Sequence, residues 1–327
     1  MTRLFIILTG LLVILFLAAL VVGPARIGPM DSLRALIAGD AGPLTLVMRE
    51  IRLPRAILAV VIGGALGLAG AAMQGYLRNP LADPGLIGVS GSAALGAVLS
   101  IQTGIAASIA FALPVAALAG ALIGVLLVLV LAGPKGSSLT LILAGIAISA
   151  LAGALTSLVL NLSPNPFAAN EIVFWMMGSL ADRSMTHVWI ALPFILAGSV
   201  LLASLARGLD ALTLGEDAAE AMGIGLRRLR LTLIFGTAAV VGASTAVAGA
   251  IGFVGLVVPH ILRGFVGARP GRLLWASMLG GAIMLLLADI AVRVVLPARD
   301  LKLGVLTALV GAPLFLHLIY RTRRAGL

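Results

Sequence analysis

The chain has 327 residues, of which 61% are hydrophobic and only 10% are charged, and its formal net charge is +10 at pH 7. Globular domains are about half apolar and about a quarter charged, so this composition excludes a soluble protein and indicates one integral membrane domain over residues 1–327. Cysteine is absent, which excludes disulfides and thiolate metal sites, and we interpret the positive charge as loop placement in a membrane protein, not as a nucleic-acid footprint.

Apolar runs long enough to cross a bilayer recur along the chain. The longest uncharged apolar run extends from Leu99 to Leu131, interrupted only by Gln102, Thr103 and Ser108, and a spanning helix needs about 20 apolar residues, so this run holds one span and most of a second. We therefore predict an all-α polytopic membrane protein with about ten transmembrane helices. Gly63 and Gly67 form a small-xxx-small face that favours close helix packing. The predicted spans are 4–22, 56–75, 88–106, 109–131, 139–161, 188–206, 231–250, 252–266, 272–290 and 304–320.

The topology follows from the number of spans and from the charges between them. The first apolar run follows Arg3 and is longer than the core of a cleaved signal, so we expect it to remain as the first helix. An even number of spans places both termini on one side, and basic residues modestly favour that side, so we expect both termini in the cytoplasm. Connections 23–55 and 162–187 are then periplasmic, and 207–230 is cytoplasmic. Residues from Asp31 to Ile37 are expected to form a short interfacial helix.

Residues for energy conversion are missing from the chain. A P-loop needs a Gly-rich loop that ends in Lys-Ser/Thr, and neither lysine, Lys135 or Lys302, has that context. Ion-coupled carriers place carboxylates at mid-membrane, whereas the acids here fall in loops or near span ends, with Asp289 closest to a span interior. The histidines lack metal-ligand spacing. We therefore predict that the chain is not an enzyme and binds no metal or other cofactor.

The most informative polar segment is 207–230. Acidic residues occupy the first turns of a predicted helix within it, which suits a helix N-terminus. We interpret this segment as a short amphipathic helix on the cytoplasmic side that docks in the groove of another protein. The alternative is a helix that lies on the membrane surface. The residues that can share one helical face are Ala218, Ala219, Met222 and Leu226.

Six segments in chain order resemble permeases of the iron–siderophore, haem and cobalamin ABC importer family. They read RLPRAILAVVIGGALGLAGAAMQGYLRNPLADPGLIGVSGSAALGA (52–97), LILAGIAIS (141–149), WMMGSLADRS (175–184), LGEDAAEAMGIGLRRLR (214–230), AGAIGFVGLVVPHILR (248–263) and LLLADIAVR…LKLGVLTALVGAPLFLHLI (285–319). The resemblance covers nearly the whole chain. It implies a type II ABC importer permease, similar to the vitamin B12 importer permease, in a bacterial inner membrane.

The resemblance also implies partners and a function. Such a permease pairs with a second copy of itself, two cytoplasmic ATPase subunits that bind ATP and Mg²⁺, and a periplasmic substrate-binding protein. ATP binding closes the ATPases, and the permeases rock between inward-open and outward-open states. The expected cargo is a bulky metal chelate, foremost a ferric siderophore, with haem or cobalamin as alternatives. A stand-alone secondary transporter or channel is the alternative from a different class. It is disfavoured by the missing carboxylates and by the helix in 207–230.

The family positions imply four groups of functional residues. The ATPase-coupling residues are Leu214, Gly215, Glu216, Ala219, Met222 and Gly223. The residues expected to dock the binding protein are Arg52, Arg55 and Arg293, with lipid headgroup contact or helix capping as the alternative. The cytoplasmic gate is assigned to Asn79, Leu81, Ser138 and Leu139, where a plain turn and a helix start are the alternative. The expected cavity lining is Ser149, Thr156, Ser157 and Asn161.

Overall fold

The computed structural model describes residues 2–23, 25, 27–38, 42–109, 111–133, 137–295 and 301–324, so Lys135 lies outside the described residues. Every regular element within these ranges is helical. The α-helices are α1 (Thr2–Val21), α2 (Pro29–Ala38), α3 (Pro43–Leu46), α4 (Leu53–Leu77), α5 (Val89–Gln102), α6 (Ile105–Ser108), α7 (Ala112–Ala132), α8 (Ser138–Asn161), α9 (Pro166–Met176), α10 (Met185–Ser204), α11 (Ala206–Leu212), α12 (Glu216–Ala221), α13 (Leu226–Ala248), α14 (Val254–Arg263), α15 (Pro270–Val295) and α16 (Leu303–Arg324). A π-helical stretch, Val47–Arg52, joins α3 to α4, and single 3₁₀ turns cover Pro84–Ile87 and Gly264–Val266.

Seven helical stretches in the described ranges are long and apolar enough to cross a membrane. They are α1, α7, α8, α10, α13, α15 and the continuous stretch Pro43–Leu77 that contains α4. Shorter apolar helices fall in the remaining predicted spans, at Val89–Gln102, Val254–Val266 and Leu303–His317. Each predicted span thus contains one of these helices, and the prediction of an all-helical membrane protein is confirmed.

Helix α4 forms the centre of the bundle. The apolar window of its stretch is 83% buried, whereas that of the peripheral α1 is 17% buried. Helix α15 packs against α4 at very short range, since a Cβ added at Gly67 would overlap the carbonyl oxygen of Ser277, and one at Gly63 would overlap that of Gly281. Small residues permit this approach of two backbones, and close van der Waals contact holds helices together in lipid.

The bundle has two ends that differ in chemistry. At one end, Gly75 near the end of α4 faces both Leu209 of α11 and Pro270 at the start of α15. At the other end, Arg52 contacts the last turn of α1, and Arg55 pairs with Asp289 near the end of α15. We call these the coupling end and the arginine end.

Two segments without α-helix, 78–88 and 249–253, meet inside the bundle, where both line one cavity. A Cβ added at Gly255 would lie 2.7 Å from Cγ of Pro84 and 2.9 Å from the carbonyl oxygen of Leu66, which lies midway along α4. The chain after α4 therefore turns back into the bundle before α5 begins, which explains why α5 is short. Irregular backbone at membrane depth is tolerated where protein buries it or where it lines a cavity.

The long connections contain more helix than the sequence predicted. A helix is present where one is expected from Asp31 to Ile37, as α2, while its position at the membrane interface stays a prediction. Connection 162–187, expected on the periplasmic side, contains a helix in its first half, because α9 begins at Pro166 with Asn165 as its N-cap. Asparagine at the N-cap followed by proline at N1 is a strong helix start, and this local signal was overlooked.

Candidate functional site

The coupling end presents a small helical hairpin built from α11 and α12. Glu216 and Asp217 occupy the first turn of α12, as predicted, and favour its N-terminal dipole. Gly215 and Gly223 flank the helix with φ of 107° and 84°, backbone that only glycine adopts without strain. The segment therefore forms a short rigid projection whose first turn carries negative charge.

The predicted coupling residues differ in their accessibility. The side chains of Leu214 and Met222 are 69% and 53% exposed, and Glu216 is exposed as well. Ala219 is fully buried, so it supports the hairpin from within and is not available to a partner. The predicted apolar face is also wrong in part, because α12 ends at Ala221 and Leu226 already belongs to α13. The glycine at 223 ends the helix before that face can be completed.

The predicted gate residues lie at helix ends. The side chain of Asn79 accepts a hydrogen bond from the backbone N–H of Leu81 at 2.9 Å, which forms a tight turn after α4. Ser138 and Leu139 open α8, where the Ser137 hydroxyl caps the helix by accepting from the N–H of Thr140 at 3.2 Å. The turn and the helix start that were the alternative are thus both present, while gating itself stays a prediction.

Tyr76 connects the predicted gate with the predicted coupling segment. It lies three residues before Asn79, and Ser138, Arg230 and Glu216 are near enough to influence its hydroxyl electrostatically. Sequence reasoning missed this residue, because a tyrosine one turn from a helix end is ordinary in a membrane protein. The structure therefore brings the predicted gate and the predicted coupling residues to one end of the bundle.

A buried ion cluster occupies the arginine end. Asp289 is fully buried, and its two carboxylate oxygens accept from Nε of Arg55 at 2.8 Å and from Nη2 of Arg293 at 2.7 Å. Nη1 of Arg293 donates to the carbonyls of Ala19 and Val22, both at 2.8 Å. The cluster thus ties α15 to both α4 and α1.

Arg52 makes similar contacts with the end of α1. Its guanidinium donates to the carbonyls of Leu20 and Val21 at 2.9 and 2.8 Å, and also to that of Ala25. Arg52 and Arg293 are only 4% and 8% exposed. These cations satisfy the orphan carbonyls and the negative dipole of the C-terminus of α1.

The expectation that all three arginines face a docking partner therefore needs correction. Arg52 and Arg293 point inward and cap a helix, which was the alternative interpretation, and only Arg55 keeps 15% of its side chain exposed. The sequence could not reveal this, because the capped helix lies 32 residues from Arg52 and 274 from Arg293 in the chain.

The predicted lining residues divide between two faces of α8. Ser157 and Asn161 are exposed and Ser149 is half-buried, so they remain available to a passage on the outer face of the helix. Thr156 is 5% exposed and belongs to the buried stripe with Ile148 and Ala152, so its assignment to the lining is wrong for this conformation.

A cavity of about 600 Å³ lies elsewhere, between the end of α9, the segment 249–253 and the first half of α16. None of the four predicted lining residues contributes to it, whereas Met176 and Met177 at the end of α9 do. None of the described residues in its wall is charged. Its residues are Met176, Met177, Ala250, Gly252, Phe253, Gly304, Val305, Ala308, Leu309, Ala312 and Pro313.

Asp83 is a further acid that sequence reasoning did not single out. It lies in the segment 78–88, accepts a hydrogen bond from the N–H of Gly85 at 2.7 Å, and lines a cavity of about 200 Å³ with Ser90 and Phe253. Burial raises the pKa of its carboxyl, and the hydrogen bond from Gly85 partly offsets that effect. Within the described ranges, no three His, Cys, Asp or Glu side chains are grouped so that they could hold a metal ion.

Comparison with known proteins agrees with this architecture. The profile of the FecCD transport family matches residues 11–321. The hemin transport system permease protein HmuU of Yersinia pestis is 39% identical over 96% of this chain and 95% of its own length. The vitamin B12 import system permease protein BtuC of Salmonella typhi is 38% identical over 97% and 94%. The Fe(3+)-citrate import system permease protein YfmE of Bacillus subtilis is 36% identical over 96% and 93%.

A solved structure is similar over the same extent. It is described as an inward-facing conformation of a metal-chelate type ABC transporter and superposes with a TM-score of 0.88 at 34% identity, covering 98% of this chain and 100% of that one.

Proposed function

Because the chain belongs to the FecCD transport family, we propose that it carries a ferric siderophore inward as one of two permease copies in an ATP-driven importer. The chain is a multi-pass inner-membrane protein and the permease of a metal-chelate ABC importer, and a separate subunit hydrolyses the ATP. The proposal concerns its cargo, its partners and the residues that contact them.

The exposed projection at the coupling end is the observation that carries the proposed coupling to an ATPase. Leu214, Glu216 and Met222 protrude from the bundle, and an acidic first turn with apolar flanks suits insertion into a groove of another protein. Two cytoplasmic ATPases that bind ATP and Mg²⁺ would each hold one projection. Closure of the ATPases then moves the coupling end, and the two permeases rock against each other.

The gate would open and close at the same end. Asn79, Leu81, Ser138 and Leu139 flank Tyr76 in the chain or in space, and Glu216 of the projection acts on Tyr76 electrostatically, so a displacement of the projection would reach both gate segments. The exposed face of α8, which includes Ser149, Ser157 and Asn161, would form part of the passage against the second copy.

A bulky chelate is supported as cargo by the walls that the chain offers. The cavity beside α16 is apolar and uncharged, and no metal-binding group of side chains accompanies it in the described ranges. Such walls let a chelated metal pass without removing it from its chelator. Haem and cobalamin remain the alternatives, because the relatives transport hemin, vitamin B12 and Fe(3+)-citrate.

A periplasmic binding protein would deliver the chelate at the arginine end. Of the three arginines, Arg55 has a partly exposed side chain that a partner could reach. A positive charge at a docking surface orients an acidic partner more than it increases affinity. Arg52 and Arg293 would support docking indirectly, by holding α1 beside α4 and α15.

Copurification tests the assignment to an ATP-driven importer. The chain is expressed with its cognate ATPase and binding protein, purified from membranes, and assayed for ATP-dependent uptake in proteoliposomes. We expect the double variant E216A/M222A to lose the ATPase and uptake, while the matched control M30A, an exposed methionine on α2 at the arginine end, keeps both. A wild-type chain that transports without any ATPase would establish a stand-alone carrier instead.

Competition between chelates tests the cargo. The same proteoliposomes receive binding protein loaded with a ferric siderophore, haem or cobalamin, and the imported label is counted for each. Uptake that follows only haem or only cobalamin would refute the siderophore assignment and leave the importer assignment intact.

A further inference from the structure

Asp210 on α11 makes a two-sided connection to the start of α15. Its Oδ1 accepts from the backbone N–H of Gly271 at 2.7 Å, and its Oδ2 accepts from Nε of Arg269 at 2.8 Å. The two donors flank Pro270, the first residue of α15. One carboxylate therefore caps the N-terminus of α15 from a different helix.

Helices α11 and α15 pack so closely that a residue larger than Gly271 does not fit between them. A Cβ added at Gly271 would lie 2.9 Å from Oδ2 of Asp210 and 3.1 Å from the carbonyl oxygen of Ala206. Leu209, the residue before Asp210, faces Gly75 on α4, where an added Cβ would meet its side chain at 3.5 Å. Helix α11 is thus fastened to the ends of α4 and α15 together.

The projection α12 is joined to α11 by a tight connection. Thr213 donates its hydroxyl to the carbonyl of Asp210 at 2.6 Å, and the N–H groups of Leu214 and Gly215 donate to carbonyls of α11 at 3.0 and 3.1 Å. A force on α12 is therefore passed to α11 through several hydrogen bonds rather than absorbed by a flexible linker.

Helix α15 extends from this contact to the arginine end. Its 26 residues cover about 39 Å at 1.5 Å per residue, and the glycine contacts with α4 bind the two helices closely along that length. At its far end, Asp289 and Arg293 hold Arg55 and the last turn of α1. One helix thus bridges the coupling end and the arginine end.

We propose that Asp210 is a positioning residue for transport, which fastens the ATPase-facing hairpin to α15 so that a displacement of the hairpin moves α15 and α4 as one body. The inference rests on the proposed function, since it assumes an ATPase that moves α12. Loss of the carboxylate leaves the N–H of Gly271 and the side chain of Arg269 without this acceptor, and α11 can then shift over α15 without pulling it.

The test compares ATP hydrolysis with uptake in the complete transporter. The complex of both permease copies, both ATPases and the binding protein is reconstituted with D210A, D210N or R207Q. R207Q is the matched control, because Arg207 is a charged, exposed residue one turn earlier on the same helix. The readout is the amount of chelate imported per ATP hydrolysed, together with copurification of the ATPase and the unfolding temperature.

We expect D210A to keep the ATPase and its hydrolysis rate but to import about tenfold less chelate per ATP, since couplings between sites typically correspond to factors of 5–150. D210N keeps an oxygen for the N–H of Gly271 and should fall between D210A and wild type. G271A should resemble D210A, because its methyl group separates the same surfaces. R207Q should match wild type.

Other outcomes overturn the proposal. If D210A lowers hydrolysis and uptake in equal proportion, Asp210 has a purely structural role. If D210A changes neither rate, Asp210 has no role in transport. If D210A does not assemble, D210N and R269Q decide, and an unchanged ratio in both refutes the link. A wild-type complex without ATP-dependent uptake refutes the proposed function instead, which separates the two failures.

Discussion

Removing the charge of Asp289 should destabilise the fold more than any other single loss of charge at the arginine end. Its carboxylate is fully buried and faces two guanidinium groups at 2.8 and 2.7 Å, with Arg52 close by. The substitution D289N keeps the shape but removes the carboxylate that faces these arginines. Among the described residues, the carbonyls at the end of α1 would then be left to oppose their mutual repulsion.

The magnitude follows from the burial of the pair. Breaking a buried ion pair by removing one partner costs about 3–5 kcal/mol, because an uncompensated charge remains in a medium of low dielectric constant. Two pairs share Asp289, but they also share the carboxylate, so their losses do not add. We therefore expect the free energy of unfolding to fall by about 4 kcal/mol in D289N. R55Q should cost less, because the pair of Asp289 with Arg293 survives.

Equilibrium unfolding in mixed detergent micelles measures this loss. Glu171 is exposed on α9 at the arginine end, so E171Q serves as the matched control and should change the stability by less than about 0.5 kcal/mol. A loss below about 1 kcal/mol in D289N would mean that the cluster is solvated like a surface ion pair. That result would refute the argument that it fastens α1 and α4 to α15.

Two further predictions concern the packing of α4 and the buried loop acid. G67A should lower the free energy of unfolding by about 1–3 kcal/mol, because its methyl group would overlap the carbonyl of Ser277. The control G10A should not lower it, because Gly10 on α1 has open space around it. Equal effects of the two substitutions in thermal unfolding would refute close packing of α4 against α15. Since burial raises the pKa of Asp83, its ionisation opposes folding, so stability should fall as the pH rises from about 4 through that raised pKa. D83N keeps an acceptor for Gly85 and should remove this dependence, and a wild-type minus D83N difference that stays constant with pH would contradict it.

The amino-acid sequence by itself determined the class of the fold and the place of its coupling segment. Long apolar runs leave no alternative to membrane helices, because a backbone in lipid must satisfy its own hydrogen bonds. The polar interruption 207–230 stands out against them, and its acidic first turn was confirmed in α12. Both signals are local in sequence, so they can be read without knowing which helices are neighbours.

Only the tertiary structure decided which way the polar side chains face. Arg52 was expected on a surface and caps α1 instead, and Ala219 was expected in an interface and is buried within its own chain. Asp210 drew no attention in the sequence, yet its partners at 269 and 271 bring two helices together. The physical reason is the same in each case: a buried polar group takes its partner from whatever element packs against it. That neighbour is set by the arrangement of the whole bundle, tens to hundreds of residues away, which no local pattern of apolar and charged residues encodes.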